Sequence, residues 1–526
     1  MAWLPPHTGA TCDAAIVDPG RGVVVSPHYL AGWAGIQTLR AGGNAVDAAV
    51  AANAVLGVVL PDTCGPGGDL FALVHRPGDP RPGALNASGR AGSGADGERL
   101  RRSGHTTIPI HGVEGITVPG CVDGWEVLLA GYGSMPLGEV LAPAIAVAAA
   151  GFEVSAELAR SLGRSAGLIA TQPSATALYP DGRPPLPGTM VRRPDLAETL
   201  AAVAAGGRTA FYGGAAGEGM VAATGGLITA DDLAVVQADW VEPLGLGLYG
   251  LEAWTVPPNS RGYLTLAATW MAERLGSAPG SPQRHHHLIE AYQAAAGDAA
   301  ELVADPATAP RAAADLVDPE RLADLLATIG PDAAPRPAPA PATGGTAYLC
   351  CRDGSGIGVS LIQSNFHGIG SGLSAGDTGV FLHNRGAGFN LVPGHPNELT
   401  PGRRPAHTLS PTLWTDAGGL RLLLGTRGGH YQPQLLVQMI DCLLGAGLAP
   451  AEAMRRPRWV VEDGTVQVES RMPAEVVAGL RARGHPVAQV GAWEEGWGPV
   501  AVVAESAGTV SAAADPRVST ASVAVA

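Results

Sequence analysis

The sequence contains no lysine: all 33 of its cationic side chains are arginines. That removes a lysine nucleophile and Schiff-base chemistry from the available mechanisms. Acidic residues number 47, which leaves a formal net charge of −14. Nucleic-acid phosphates need a basic face, so such partners are disfavoured. The six cysteines (Cys12, Cys64, Cys121, Cys350, Cys351 and Cys442) form no CxxC pair and no metal-type spacing. Adjacent Cys350 and Cys351 lie in an apolar, strand-like run and read as buried small hydrophobes. No apolar run reaches the ~20 residues that span a bilayer. The opening MAWLPPHTGATCDAAIVDPG lacks a charged n-region and a continuous apolar h-region. A soluble, cytoplasmic chain with neither membrane nor nucleic-acid partners is expected.

What is present is enough for a large core: 526 residues, 46% of them hydrophobic. The pattern near the start alternates strand and helix. GVVVS (22–26) reads as a short strand. AGWAGIQTLRAGG (31–43) reads as an amphipathic helix closed by glycines. NAVDAAVAANAVLGVVL (44–60) is apolar on most sides and predicts a helix buried between layers. PDTCGPGGDLFALVHR (61–76) gives a glycine-rich turn and another strand. Residues 150–330 are rich in Ala, Leu and Arg and look mainly helical.

The one clear linker is PDAAPRPAPAPATGG, residues 331–345. Such Pro/Ala tethers are semi-extended and exposed. The sequence after it alternates, with Val359, Leu361 and Gln363 on one face and Ser360, Ile362 and Ser364 on the other. That predicts a strand of a buried sheet. A mobile tether feeding straight into a central strand makes sense if the tether is cut. A threonine hydroxyl is a weak nucleophile without a base. At a new chain N-terminus, Thr346 would carry its own base, an α-amino group with an ordinary pKa of about 7.7–8.0. Self-cleavage would use the same hydroxyl against the Gly345 carbonyl, and glycine there permits unusual backbone geometry. On physics alone, a Thr after Gly-Gly is more often simply the start of a strand.

Longer motifs point the same way as the cut. GGNAVDAAVAANAVLGVVLPDTCGPGGDLFALVH (42–75), PPNSRGYLTLAA (257–268), HLIEAYQAA (287–295) and GTAYLCCRDGSGIGVSLIQSNFHGIGSG (345–372) resemble ordered signatures of the γ-glutamyltransferase (γ-glutamyltranspeptidase) family of N-terminal-nucleophile hydrolases. FLHNRGAGFNLVPGHPNEL, PGRRPAHTLSPTL, GTRGGHYQPQ and AADPRVSTASVAVA continue the match. The resemblance implies an α+β fold, a four-layer αββα sandwich. It implies autoproteolysis between Gly345 and Thr346. The products would be a large fragment, 1–345, with a helical region and the linker, and a small fragment, 346–526. Related proteins form larger assemblies, so a dimer of heterodimers is a possible further partner arrangement. No cofactor and no metal are implied.

Residue by residue, Thr346 falls on the family's nucleophile, and Gly428 and Gly429 on the pair whose amides form the oxyanion hole. Arg90 falls on the arginine that clamps the donor carboxylate, a task suited to a guanidinium fork. Asn365 and Asn384 fall on positions that bind the donor. The sequence then departs from the pattern. Family members hold the substrate ammonium with an acidic residue and a Gln in the loop that here reads NRGAGF, where Arg385 and Gly388 stand instead. A cation there repels an ammonium and attracts an anion. Where members have Ser-Ser, this chain has His407-Thr408. His407 is therefore a candidate substrate contact, with His430 a weaker one. The run His285-His286-His287 is not read as a metal site, because consecutive helical residues point about 100° apart.

The leading expectation is an autoprocessed amidase or acyltransferase. It would cleave a γ-glutamyl or related acyl amide of a small-molecule donor and pass the acyl group to water or an amine. One alternative keeps the nucleophile but hydrolyses a C–C bond in antibiotic biosynthesis. A second is an uncut, non-catalytic binding homologue, against which the retention of Thr346, Gly345, Arg90 and Gly428-Gly429 argues.

Overall fold

The computed structural model describes residues 13–335, 345–506 and 508–526. Residues 336–344 of the linker, and Cys12, lie outside the described residues.

Two seven-stranded sheets face each other. In spatial order, the first holds Ser522–Val525, Val23–Ser26, Gly345–Arg352, Gly358–Phe366, Asp69–His75, Gly83–Ala87 and Asp239–Val241. The second holds Ala14–Val17, Thr509–Ala514, Val500–Ser506, Gly419–Thr426, Thr412–Asp416, Leu251–Thr255 and Leu244–Leu248. Every pairing within the two is antiparallel. Phe71, Leu73, Tyr348, Cys350 and Ile362 from one sheet meet Leu413, Leu423, Ala501 and Val503 from the other in a dry inter-sheet core. Helices cover both outer faces. Tyr29–Arg40, Ala45–Val59 and Leu137–Ala150 pack with the outer residues Leu349, Cys351, Val359 and Leu361. Tyr263–Leu275, Pro282–Ala296 and Gln432–Ile440 cover the other sheet. This is the four-layer αββα sandwich.

The central strands are buried on both faces, and their side chains alternate between the helix layer and the opposite sheet. In Gly358–Phe366, Val359 and Leu361 face the helices while Ile362 faces the opposite sheet, as period-2 geometry requires. The helix Ala45–Val59 is buried along its whole length. It starts at a capping box: the Asn44 side chain accepts from Val46 and Asp47 amides, and Asp47 accepts from the Asn44 amide at 2.8 Å. Such a cap is worth about 1 kcal/mol.

The region 150–330 is not wholly helical. Asp239–Val241 closes one end of the first sheet, and Leu244–Leu248 with Leu251–Thr255 forms a hairpin at the edge of the second. LGLGLYGLEAWTV carries a period-2 signal, but its glycines and the surrounding alanine-rich helices mask it. No described helix is long and apolar enough to cross a membrane.

Candidate active site

Thr346 is the second residue of the strand Gly345–Arg352 and is buried. It pairs with Ser364, and Ser364 pairs with Asp69 on the next strand. Opposed residues share a face. Thr346 and Asp69 each lie two residues before an inter-sheet core residue, Tyr348 and Phe71, so the row Thr346–Ser364–Asp69 points between the sheets.

Ser364 is tied to the bond that joins Gly345 to Thr346. Its Oγ lies 2.9 Å from the Thr346 Oγ1 and 2.6 Å from the Gly345 carbonyl oxygen, and it accepts the Phe366 amide at 2.8 Å. A carbonyl can only accept, so the Ser364 proton goes to Gly345 and the Thr346 hydroxyl donates to Ser364. The backbone is tight here. A Cβ on Gly345 would collide with the Gly368 carbonyl, so no larger residue fits, and a register shift falls between Gly345 and Thr346.

Two cavities flank this strand end. The first, about 370 Å³, is lined in part by Phe366, which pairs with Gly345, and by Arg261, Arg385, Thr408, Gly429 and His430. The second contains Asp62, Thr63, Gly368, Arg427 and Gly428. Gly428 and Gly429 thus sit between the two, in the turn that follows the strand Gly419–Thr426. Their φ values are +120° and +53°, a left-handed backbone that glycine adopts without a Cβ penalty.

The first cavity is cationic, and none of its lining residues is Asp or Glu. Arg385 is buried and stacks on the Phe366 ring at 3.6 Å. Its Nη2 donates to the Thr408 hydroxyl at 3.2 Å, while Nε and Nη1 have no hydrogen-bond partner. Burial lowers its pKa to about 9, with Arg261 adding to the effect and Asp69 opposing it, so it is charged at neutral pH. Arg261 approaches His430 Nδ1 at 2.6 Å. Burial and the two guanidiniums hold the His430 pKa well below its usual value. The ring is therefore neutral and accepts from Arg261.

Behind the row, Asp69 receives the Gly89 amide at 2.9 Å and lies 3.2 Å from His407 Nε2. Burial alone would raise its pKa, but His383, His407 and the Gly89 amide outweigh that and lower it. Burial, then Arg385, pushes His407 down to about 3. His407 is thus a neutral imidazole donating to an ionised Asp69, and its Nδ1 accepts the Leu409 amide at 3.3 Å.

The sequence-predicted residues therefore divide. Arg385, Thr408 and Gly429 meet in the first cavity, beside the Gly345–Phe366 pair. His407 does not line it; its ring serves Asp69. Asn384 is occupied by backbone: its Nδ2 donates to the Ile110 and Gly370 carbonyls at 2.9 and 3.0 Å, and its Oδ1 accepts the His367 amide at 3.0 Å. Asn365 donates to the Pro61 carbonyl at 3.2 Å and keeps its Oδ1 unpartnered. Arg90 stands away from the first cavity, paired with Asp239 at 2.8 Å. Sequence reasoning missed Ser364 and Arg261, although both fall inside the quoted motifs. Cys350 and Cys351 are buried free thiols, and burial raises both pKa values.

Comparison with known proteins agrees with this architecture. The family described as gamma-glutamyltranspeptidase matches residues 31–525. The glutathione hydrolase-like YwrD proenzyme of Bacillus subtilis is 36% identical over 510 residues, covering 94% of this chain and 97% of that relative. The oxamate amidohydrolase proenzyme of Klebsiella pneumoniae is 34% identical, covering 94% and 97%. The crystal structure of cephalosporin acylase from Bacillus halodurans superposes with a TM-score of 0.91 at 32% identity, covering 100% of this chain and 98% of that one. The chain belongs to the γ-glutamyltranspeptidase family, enzymes of the N-terminal-nucleophile hydrolase class that act as hydrolases and acyltransferases.

Proposed function

We propose that the protein is an autoprocessed N-terminal-threonine amidase whose acyl donor carries an anionic or neutral end and no α-ammonium group. The observation that carries this reading is the first cavity: the buried Arg385 guanidinium, the partly buried Arg261 guanidinium and no carboxylate among its lining residues. An ammonium would enter against two like charges. A carboxylate would find the unpartnered Nε and Nη1 of Arg385, where a charge-assisted bond is strong. The relative named oxamate amidohydrolase supports the same substrate class, since oxamate is an amide with a carboxylate and no ammonium.

Processing comes first. The Thr346 Oγ1 attacks the Gly345 carbonyl carbon and its proton passes to Ser364. Ser364 donates its own proton toward the carbonyl oxygen as negative charge builds there. The Thr346 nitrogen takes up the relayed proton as the C–N bond breaks, and the ester so formed is hydrolysed by water, which frees the fragments 1–345 and 346–526. In turnover, the new α-amino group takes the Thr346 proton as the hydroxyl attacks the donor amide. The Gly428 and Gly429 amides face the oxyanion, and the amine leaves with the proton. Water then hydrolyses the acyl-threonine ester and releases the acid. The single positive end of the short helix Gln432–Ile440 lies beside His430 and Pro433 of the cavity and favours negative charge. Arg90 would reach a donor carboxylate only on release from Asp239.

The test is a side-by-side assay of glutaryl and γ-glutamyl anilides and of oxamate. Higher kcat/KM for the donors without an ammonium is expected. Preference for the γ-glutamyl anilide refutes the assignment.

A further inference from the structure

The histidine run 285–287 does not converge on one point. His285 Nδ1 accepts the Trp459 indole N–H at 3.2 Å, and His287 Nδ1 lies 3.2 Å from the Ser277 hydroxyl. His286 turns the other way, into the interface between the helices Pro282–Ala296 and Ala474–Ala482. There it meets two residues far apart in sequence. Glu290 is one helical turn on, at i+4, on the same face. His485 follows Ala474–Ala482 and sits 2.8 Å away, Nε2 to the His286 Nδ1. All three side chains are buried, and one ligand atom from each lies within 4.8 Å of the others.

We propose that His286, Glu290 and His485 form a binding site for one divalent cation of the zinc class. The donor set is two imidazole nitrogens and one carboxylate, a combination that suits zinc with a fourth position left for water. The outer contacts already orient the first ligand. His286 Nε2 lies 2.9 Å from the Gly330 carbonyl, which can only accept, so Nε2 carries the proton and the Nδ1 lone pair faces the cluster. This is the arrangement by which a backbone oxygen fixes a ligating histidine. Both Glu290 oxygens lie 3.4 Å from the Ala334 amide.

Without a cation, the His485 Nε2–H donates to His286. Binding moves that proton to the His485 Nδ1, and the cation takes the proton's place. Tetrahedral bonds near 2.0–2.1 Å require a nitrogen–nitrogen separation of about 3.3 Å. The two rings must therefore part by about half an ångström. His286 and Glu290 precede the proposed cut and His485 follows it, so a bound cation would join the two fragments. Only that joining role rests on the proposed processing. Cation binding does not.

The experiment uses the tag-free full-length protein and its Thr346→Ala variant. Both are treated with chelator, then dialysed against zinc or cobalt. One bound equivalent per chain is expected in each, with a rise in Tm and the intense visible absorption of four-coordinate cobalt. His286→Gln and His485→Gln should each lose the bound equivalent. No bound metal in the wild type overturns the proposal and leaves a histidine–histidine hydrogen bond only. An unchanged stoichiometry in both Gln variants also overturns it. Should those variants fail to fold, the wild-type cobalt spectrum decides, and a weak octahedral spectrum counts against the site. A bound equivalent in a wild-type chain that stays uncut would sink the processing scheme and leave the metal site standing.

Discussion

Arg385→Gln should lower activity and leave stability intact or higher. A guanidinium whose pKa is lowered by burial to about 9 costs the fold up to about 5 kcal/mol while charged. The sign follows from the direction of that shift. Below pH 9 the cation is present in folded and unfolded chains alike, and the cost applies in full. Above pH 9 the folded protein sheds the proton before the unfolded chain does, and the cost fades. Stacking on Phe366 at 3.6 Å returns about 2 kcal/mol. A remaining cost of this kind is what a site that spends stability on ligand binding carries. Losing charge-assisted bonds to a donor carboxylate, worth about 1.5–3 kcal/mol, should lower kcat/KM for a glutaryl anilide roughly 10- to 150-fold. The γ-glutamyl anilide should lose less or gain. Steady-state kinetics on both donors, with urea unfolding at pH 7, gives the two halves of the test. An equal loss on both donors, or a stability loss of several kcal/mol, would mean that Arg385 is structural and the donor reading is wrong.

Other changes have equally definite outcomes. Ser364→Ala should slow processing at least ~10-fold by removing a hydrogen bond to the developing oxyanion, whereas Ser364→Thr should keep it; gel analysis over time reads both. Burial raises the Asp62 pKa from 3.8 to about 6 against the help of Ser161, and its Oδ1 has no partner. Its raised folded pKa means that stability is fully present below about pH 4 and falls as pH rises through 6, by about 3 kcal/mol at most. Asp62→Asn should therefore unfold at higher urea than wild type at pH 8, with the difference closing at pH 4. A constant difference across that range would contradict the assignment.

The parts of the fold legible in the sequence were those where a local period survives burial. NAVDAAVAANAVLGVVL forms a helix because its cap and its apolar faces agree. The strand 358–366 could be assigned face by face because Val359 and Leu361 are two apart and Ser360 separates them, as a period of two requires. The strands 239–255 were hidden because edge strands carry less apolar pattern and sit among helices. Thr346 could be found because a tether meets a strand there. Ser364 could have been found as well: Gly345, Thr346 and Ser364 lie on paired strands with a short connection, so antiparallel register puts the serine opposite the threonine. The grouping of Arg261, Arg385 and His430 was not legible, since three separate segments supply it. For the same reason His485 could not be matched to His286. Arg90, Asn384 and His407 carry chemistry suited to a substrate. The structure engages them with Asp239, with backbone groups and with Asp69, partners that no local pattern announces.

The central claim is that the chain exists to be cut before Thr346. Intact mass spectrometry of the purified full-length protein, run beside Thr346→Ala on a denaturing gel, tests it directly. Two fragments meeting between Gly345 and Thr346 in the wild type, and one uncut and inactive chain in the variant, are the predicted result. A wild-type chain that stays whole for days, or a Thr346→Ala variant that still cleaves and turns over, would contradict the account.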